Sequence, residues 1–110
     1  MHHAGVVHLD IKPDNILLNN HTGVAKICDT GLATWLVRGQ MDGCCGTDAY
    51  MAPEVRARSY DGRLADAWSL GAALYFNLTG MPPCESPVMA DDGYRQIIRV
   101  VYKAGQYITR

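Results

Sequence analysis

The chain has 110 residues, 48% of them hydrophobic and 19% charged, the size and balance of one globular domain and not of a disordered tail. Ten basic and eleven acidic residues leave a net charge of -1, which gives no electrostatic case for a nucleic-acid or anionic-membrane partner. Any phosphate binding has to be local.

The N-terminus, MHHAGVVHLD, has neither a basic start nor a long apolar run, so no signal peptide is expected. The most apolar stretch, Leu70 to Phe76, is far short of the ~20 residues that span a bilayer. Cys28, Cys44, Cys45 and Cys84 form no C-x-x-C pair, which suits neither a common zinc spacing nor an easy disulfide. Reduced thiols of an intracellular protein are the expectation.

The first elements are the short apolar runs Val6-Val7 and Ile16-Leu17-Leu18, with the polar packet His8 to Asn15, HLDIKPDN, between them. A plain turn needs a proline and one Asp or Asn; this packet carries more chemistry than geometry requires. The turn residues Asn19 to Gly23 and the alternating Val24 to Cys28 then predict a hairpin of two short strands. Residues 29 to 63 show no sustained period. Loops of that length in compact domains are functional or disordered. Within them Tyr50 to Val55 predicts a short helix, with Pro53 acceptable in its first turn.

Leu64 to Thr79 is helix-forming and apolar on every face, with Gly80 and Pro82-Pro83 as stop signals. Such a helix is expected to be central and buried, which makes Asp66 and Ser69 buried polar groups in need of partners. Tyr94, Ile97, Ile98, Val101 and Tyr102 fall at helical spacing with charges between them, predicting an amphipathic helix over about 92–104. Nothing in the pattern fixes an oligomeric state.

Three polar packets stand out: HLDIKPDN, the triplet Asp29-Thr30-Gly31, and GTDAYMAPE from Gly46 to Glu54. Each alone is ordinary turn chemistry. In this order and spacing they resemble the protein kinase family: its catalytic loop (8–15), its metal-binding triplet (29–31) and the end of its activation segment (29–54). DAWSLG, Asp66 to Gly71, is similar to the start of that family's buried helix. The resemblance covers about residues 2 to 83. It implies an α+β kinase-like fold, here a mainly helical C-terminal lobe with a short β-hairpin and no small N-terminal lobe.

The resemblance also implies roles. Asp10 accepts or orients the proton of a substrate hydroxyl, and Lys12 sets a point charge beside the transferred phosphoryl group. Asn15 and Asp29 offer the hard oxygens that Mg²⁺ (or Mn²⁺) prefers, and the metal bridges the phosphates of ATP. Leu17 resembles the apolar residue under the adenine ring, although plain packing explains it equally. The Thr47 hydroxyl bonds Asp10 and Lys12, and Lys12 in D-x-K-P marks the serine/threonine type. Glu54 is expected to pair with an arginine of a later helix, and Asp66 to hold the loop backbone. His8 is architectural. His2, His3 and His21 are expected to be solvated.

Departures from the family pattern accompany these matches. Leu9 stands where an arginine usually pairs with an activation-loop phosphate, so that switch is not expected. Thr30 stands where a phenylalanine usually fills an apolar stack between the lobes. No glycine-rich loop or strand lysine precedes the catalytic loop, and the expected reading is a fragment of a larger catalytic domain. The function implied is transfer of the ATP γ-phosphate to a protein hydroxyl, in the cytoplasm or nucleus. The alternative is a non-catalytic kinase-like module that acts by binding protein.

Overall fold

The computed structural model of the chain describes residues 1–36, 41–43, 45–57 and 59–82. Cys44, Cys84 and the amphipathic segment expected over 92–104 lie outside the described residues. Six short strands and one long helix follow one another: β1 Val6–Val7, β2 Ile16–Leu18, β3 Ala25–Ile27, β4 Thr34–Trp35, β5 Met41–Asp42, β6 Ser59–Tyr60 and α1 Gly62–Thr79. The strands pair antiparallel in three two-stranded sheets, β1 with β4, β2 with β3 and β5 with β6. Short 3-10 turns at His2–Ala4, Pro13–Asn15, Asp48–Tyr50 and Pro53–Ala57 complete the described chain.

The hairpin β2–β3 forms in the register Ile16↔Ile27, Leu17↔Lys26 and Leu18↔Ala25. Its turn is made by Asn19, whose side-chain oxygen accepts the N–H of His21 at 2.9 Å and of Thr22 at 3.2 Å. Gly23 follows at φ 73, a conformation glycine takes without strain. The apparently featureless stretch 29–63 contains β4, β5, β6 and two of the 3-10 turns. Strands of two residues cannot show a period of two, so pattern alone could not reveal them. The expected helix over Tyr50 to Val55 is split into two turns by extended backbone at Met51.

Helix α1 starts two residues before its expected position. Asp61 caps it, accepting the N–H of Arg63 at 2.9 Å. Gly62 is a weak helix former, but a side chain there would begin 2.9 Å from Met41 Cγ and 3.0 Å from both γ-carbons of Val7. Close approach decides that position. The far end stops as expected, with Gly80 at φ 76 donating its N–H to the Phe76 carbonyl at 2.7 Å.

The main core is Met51, Ala52, Val55, Tyr60 and Ala65, with Leu9, Met41 and Trp68 packed against it. One face of α1 therefore meets the turn at 48–50, β1 and the turn at 13–15. The expectation of a helix buried on every face is corrected: Leu64, Leu70 and Leu78 remain 65%, 41% and 76% exposed. The buried positions of the helix are small or polar, Gly62, Ala65, Asp66, Ser69, Gly71, Ala72 and Ala73, and Ala72 packs against Tyr50 and Trp68. Among the described residues no helix is long and apolar enough to cross a membrane.

The cap yields a test. The carboxyl of Asp61 is lowered from its ordinary 3.8, chiefly by the backbone N–H of Arg63. A folded value below the unfolded one means the stabilisation is complete above 3.8 and fades as pH falls through the lower folded value. Asp61→Ala should cost about 1 kcal/mol at neutral pH, and the gap from the parent protein in urea unfolding should narrow below about pH 4. An equal gap at pH 7 and pH 3 would contradict a charge-dependent cap.

Candidate active site

Helix α1 shapes the polar packet from beneath. Asp66, only 2% exposed, accepts the backbone N–H of His8 on Oδ2 and of Leu9 on Oδ1, each at 2.8 Å. Leu9 is thereby held at φ 66, a left-handed conformation that costs a non-glycine residue about 1–2 kcal/mol. Hydrogen bonds to a charged acceptor contribute about 1.5–3 kcal/mol each. Two of them outweigh the strain.

His8 is wholly buried and ties the packet to the end of the hairpin. Its Nδ1 accepts the N–H of Asp10 at 3.2 Å, so the ring proton belongs on Nε2, which donates to the Cys28 carbonyl at 2.9 Å. The Cys28 N–H in turn donates to the Asn15 carbonyl at 2.8 Å. Asp29 comes next, exposed and at φ 58, its Oδ1 accepting the N–H of Gly31 at 3.2 Å.

Three of the expected site residues meet directly. The Thr47 hydroxyl donates to Asp10 Oδ1 at 2.8 Å and accepts from Lys12 Nζ at 3.1 Å. Lys12 Nζ also lies 3.8 Å from Asp10 Oδ2, with the two side chains 24% and 15% exposed. Asn15 joins them from the 3-10 turn, its Nδ2 donating to the Asp10 carbonyl at 2.8 Å. The same Nδ2 lies 3.5 Å from Asp10 Oδ2, so the amide's donor side is turned to Asp10. Asp29 and Leu17 stand apart. No hydrogen bond joins the Asp29 side chain to Asp10, Lys12 or Asn15, although the hairpin sets Asp29 one residue beyond the partner of Asn15. Leu17, 59% exposed, lines an open groove of about 460 Å³ with Leu18, Asn19, Thr22, Val24 and Lys26.

Asn15 and Asp29 each carry a side-chain oxygen of the kind a hard divalent cation takes, although the two side chains are not joined to each other. Among the described residues no three His, Cys, Asp or Glu side chains gather as a metal cluster, so a cation here would draw its other ligands from phosphate and water. Ser69, one turn beyond Asp66, shares its hydroxyl proton between the Tyr50 carbonyl at 2.7 Å and Ala65 at 3.1 Å. The Tyr50 phenol is pushed up, first by burial and then by nearby Asp14. Its ring meets Phe76 edge to face with centroids 6.4 Å apart. Glu54 is exposed, with no partner among the described residues.

Over residues 1–108 the sequence matches the protein kinase domain. The chain belongs to the protein kinase family. A rice protein named CBL-interacting protein kinase 16 is 42% identical over 108 residues, which is 94% of this chain and 22% of that relative. Mouse sperm motility kinase 2B is 46% identical across 77% of this chain and 18% of its own length. An Aurora kinase of Yarrowia lipolytica is 37% identical across 99% of this chain and 29% of its own. The chain thus spans less than a third of each of these kinases. Its described fold, one long helix with short antiparallel strands and turns, fits a protein kinase domain.

One site residue escaped the sequence. His2, expected to be solvated, has its Nε2 2.7 Å from Asp66 Oδ2. A carboxylate only accepts, so Nε2–H is the donor and Asp66 holds three N–H groups. No local pattern marks such a contact across 64 residues; only the docked helix creates it. The pair yields a prediction. Asp66→Asn sets an amide donor against one of the two backbone N–H groups and should cost about 3 kcal/mol in urea unfolding. His2→Ala, at a ring water can reach, should cost about 1 kcal/mol. Equal losses would show that the backbone bonds are not the dominant part.

Proposed function

We propose that the chain forms part of the large, mainly helical lobe of a serine/threonine protein kinase, the lobe that carries the catalytic loop. The observation that supports this most is the Asp10–Thr47–Lys12 triangle beside Asn15, with the hydroxyl donating at 2.8 Å and accepting at 3.1 Å. Phosphoryl transfer needs little covalent help from the protein. It needs groups positioned and charge neutralised.

In this reading Asp10 is the base. Its Oδ1 accepts the Thr47 proton at 2.8 Å, while Oδ2 has only the long bond from Asn15 Nδ2 at 3.5 Å and Lys12 Nζ at 3.8 Å, so Oδ2 is the oxygen proposed to take the proton of a substrate hydroxyl. The substrate oxygen bonds to the γ-phosphorus, the bond to the β–γ bridging oxygen breaks, and the hydroxyl proton passes to Asp10. ADP leaves with the bridging oxygen. Lys12, oriented by Thr47, sets its charge beside the phosphoryl oxygens. Asn15 and Asp29 would hold Mg²⁺ (or Mn²⁺), which would supply charge neutralisation at the phosphates. Leu17 lies under the adenine ring. The serine/threonine preference rests on Lys12 in D-x-K-P and Thr47 in G-T-x-x-Y.

The 110 residues taken alone are proposed to be inactive. They hold no glycine-rich loop, and Leu17 faces an open groove. A nucleotide there stays in water, where electrostatic contacts weaken and much of a positional advantage of about 7–11 kcal/mol is lost.

The experiment joins this chain to the small lobe of a related kinase and follows radiolabelled phosphate into a basic protein. Asp10→Ala should slow transfer by about 10²–10⁴-fold, and Asp29→Ala should abolish it with the fold intact. Undiminished turnover in either variant would remove this mechanism. The unjoined chain should incorporate no more label than its own Asp10→Ala variant.

A further inference from the structure

Met41 packs on the same buried cluster as Leu9. Its backbone pairs with Tyr60, and that of Asp42 with Ser59. Beside this clasp, Gly62 leaves a socket: Met41 Cγ lies 2.9 Å and the Val7 γ-carbons 3.0 Å from where its side chain would begin. Further along, Gly46 sits at φ 110, and a side chain there would begin 2.8 Å from the Leu9 carbonyl oxygen. Only glycine allows that approach. The stretch leading to Thr47 is therefore close-packed at both ends, at Met41 against the core and the start of α1 and at Gly46 against the Leu9 backbone.

Both are apolar packing and backbone contact, and neither uses charge. Leu9 has none to offer, and its side chain lies against the core instead of facing an anion. We infer that Met41 is a positioning residue: with the β5–β6 pair and the Gly62 socket it holds the segment that presents Thr47 to Asp10 and Lys12, with no phosphate required. The inference names the regulation of the site proposed above and rests on that reading for its meaning. The clasp itself can be measured without nucleotide.

The test is hydrogen exchange by mass spectrometry on the whole chain. One set of peptides covers residues 41–47 and 59–63, and the hairpin peptide 16–27 is the internal reference. Met41→Ala removes the knob, and exchange in both clasp peptides should rise by about an order of magnitude while the hairpin holds its rate. Met41→Leu keeps the volume and should restore protection. Thr34→Glu, a phosphate-like charge on an exposed residue of β4 outside the clasp, should add no protection to the clasp peptides. Unaltered exchange in Met41→Ala would overturn the proposal. So would an equal rise in the hairpin, which would make Met41 a general support of the fold, or added protection in Thr34→Glu. Failure of phosphoryl transfer in the joined protein, with the clasp intact, would count against the proposed function alone.

Discussion

A carboxylate taken out of water costs several kcal/mol unless its lone pairs are met, and Asp66 meets that cost with the N–H groups of His8 and Leu9 and the ring of His2. Two consecutive backbone N–H groups converge on one carboxylate only where the chain bends, and the left-handed Leu9 supplies the bend. The direction of Asp10 follows from it. Its carbonyl then faces the Asn15 amide and its side chain faces Thr47. The shape of the polar packet is dictated by a residue 57 and 58 positions from the two N–H groups it holds, and not by the packet itself.

Ser69 repeats the device one turn along α1. Residues three apart share a helix face, so Asp66 holds the packet while Ser69 holds the Tyr50 carbonyl from the same side. The helix is the common base for the two segments that supply Asp10 and Thr47. Every bond joining them to it spans a long stretch of sequence. Contacts of that kind form late, after loop closure has been offset by burial. Helix α1 thus touches both halves of the site, the Asp10 segment through Asp66 and the Thr47 segment through Ser69.

The sequence was most legible where chemistry is dense or where the chain must stop. The packet 8–15, the hairpin and the Gly80 stop can be read because each depends on neighbours within a few residues. The Asp66 and Ser69 side chains were legible as a problem, two polar groups on an apolar helix, and the structure supplies their partners. What could not be read depends on distant chain: the His2 contact, the pairing of Val6–Val7 with Thr34–Trp35, and the Met41 socket against Gly62. Burial of α1 was overread, because an even spread of apolar residues says nothing about which side has neighbours. The kinase-like pattern carried the grouping of Asp10, Lys12, Asn15 and Thr47, which spacing alone would not have brought together.

The two substitutions within the family pattern have different physical fates. Leu9 exchanges a charge for packing and finds it, on the cluster that also holds Met41. Thr30 is exposed. Asp29 beside it keeps its left-handed turn through its own bond to the Gly31 N–H, a conformation that aspartate tolerates better than most residues. Asn15 is aimed by the fold, through a carbonyl that Asp66 has already fixed. Among the described residues Asp29 accepts from the Gly31 N–H of its own local turn, so of the two proposed metal ligands it is the one less firmly held by the fold.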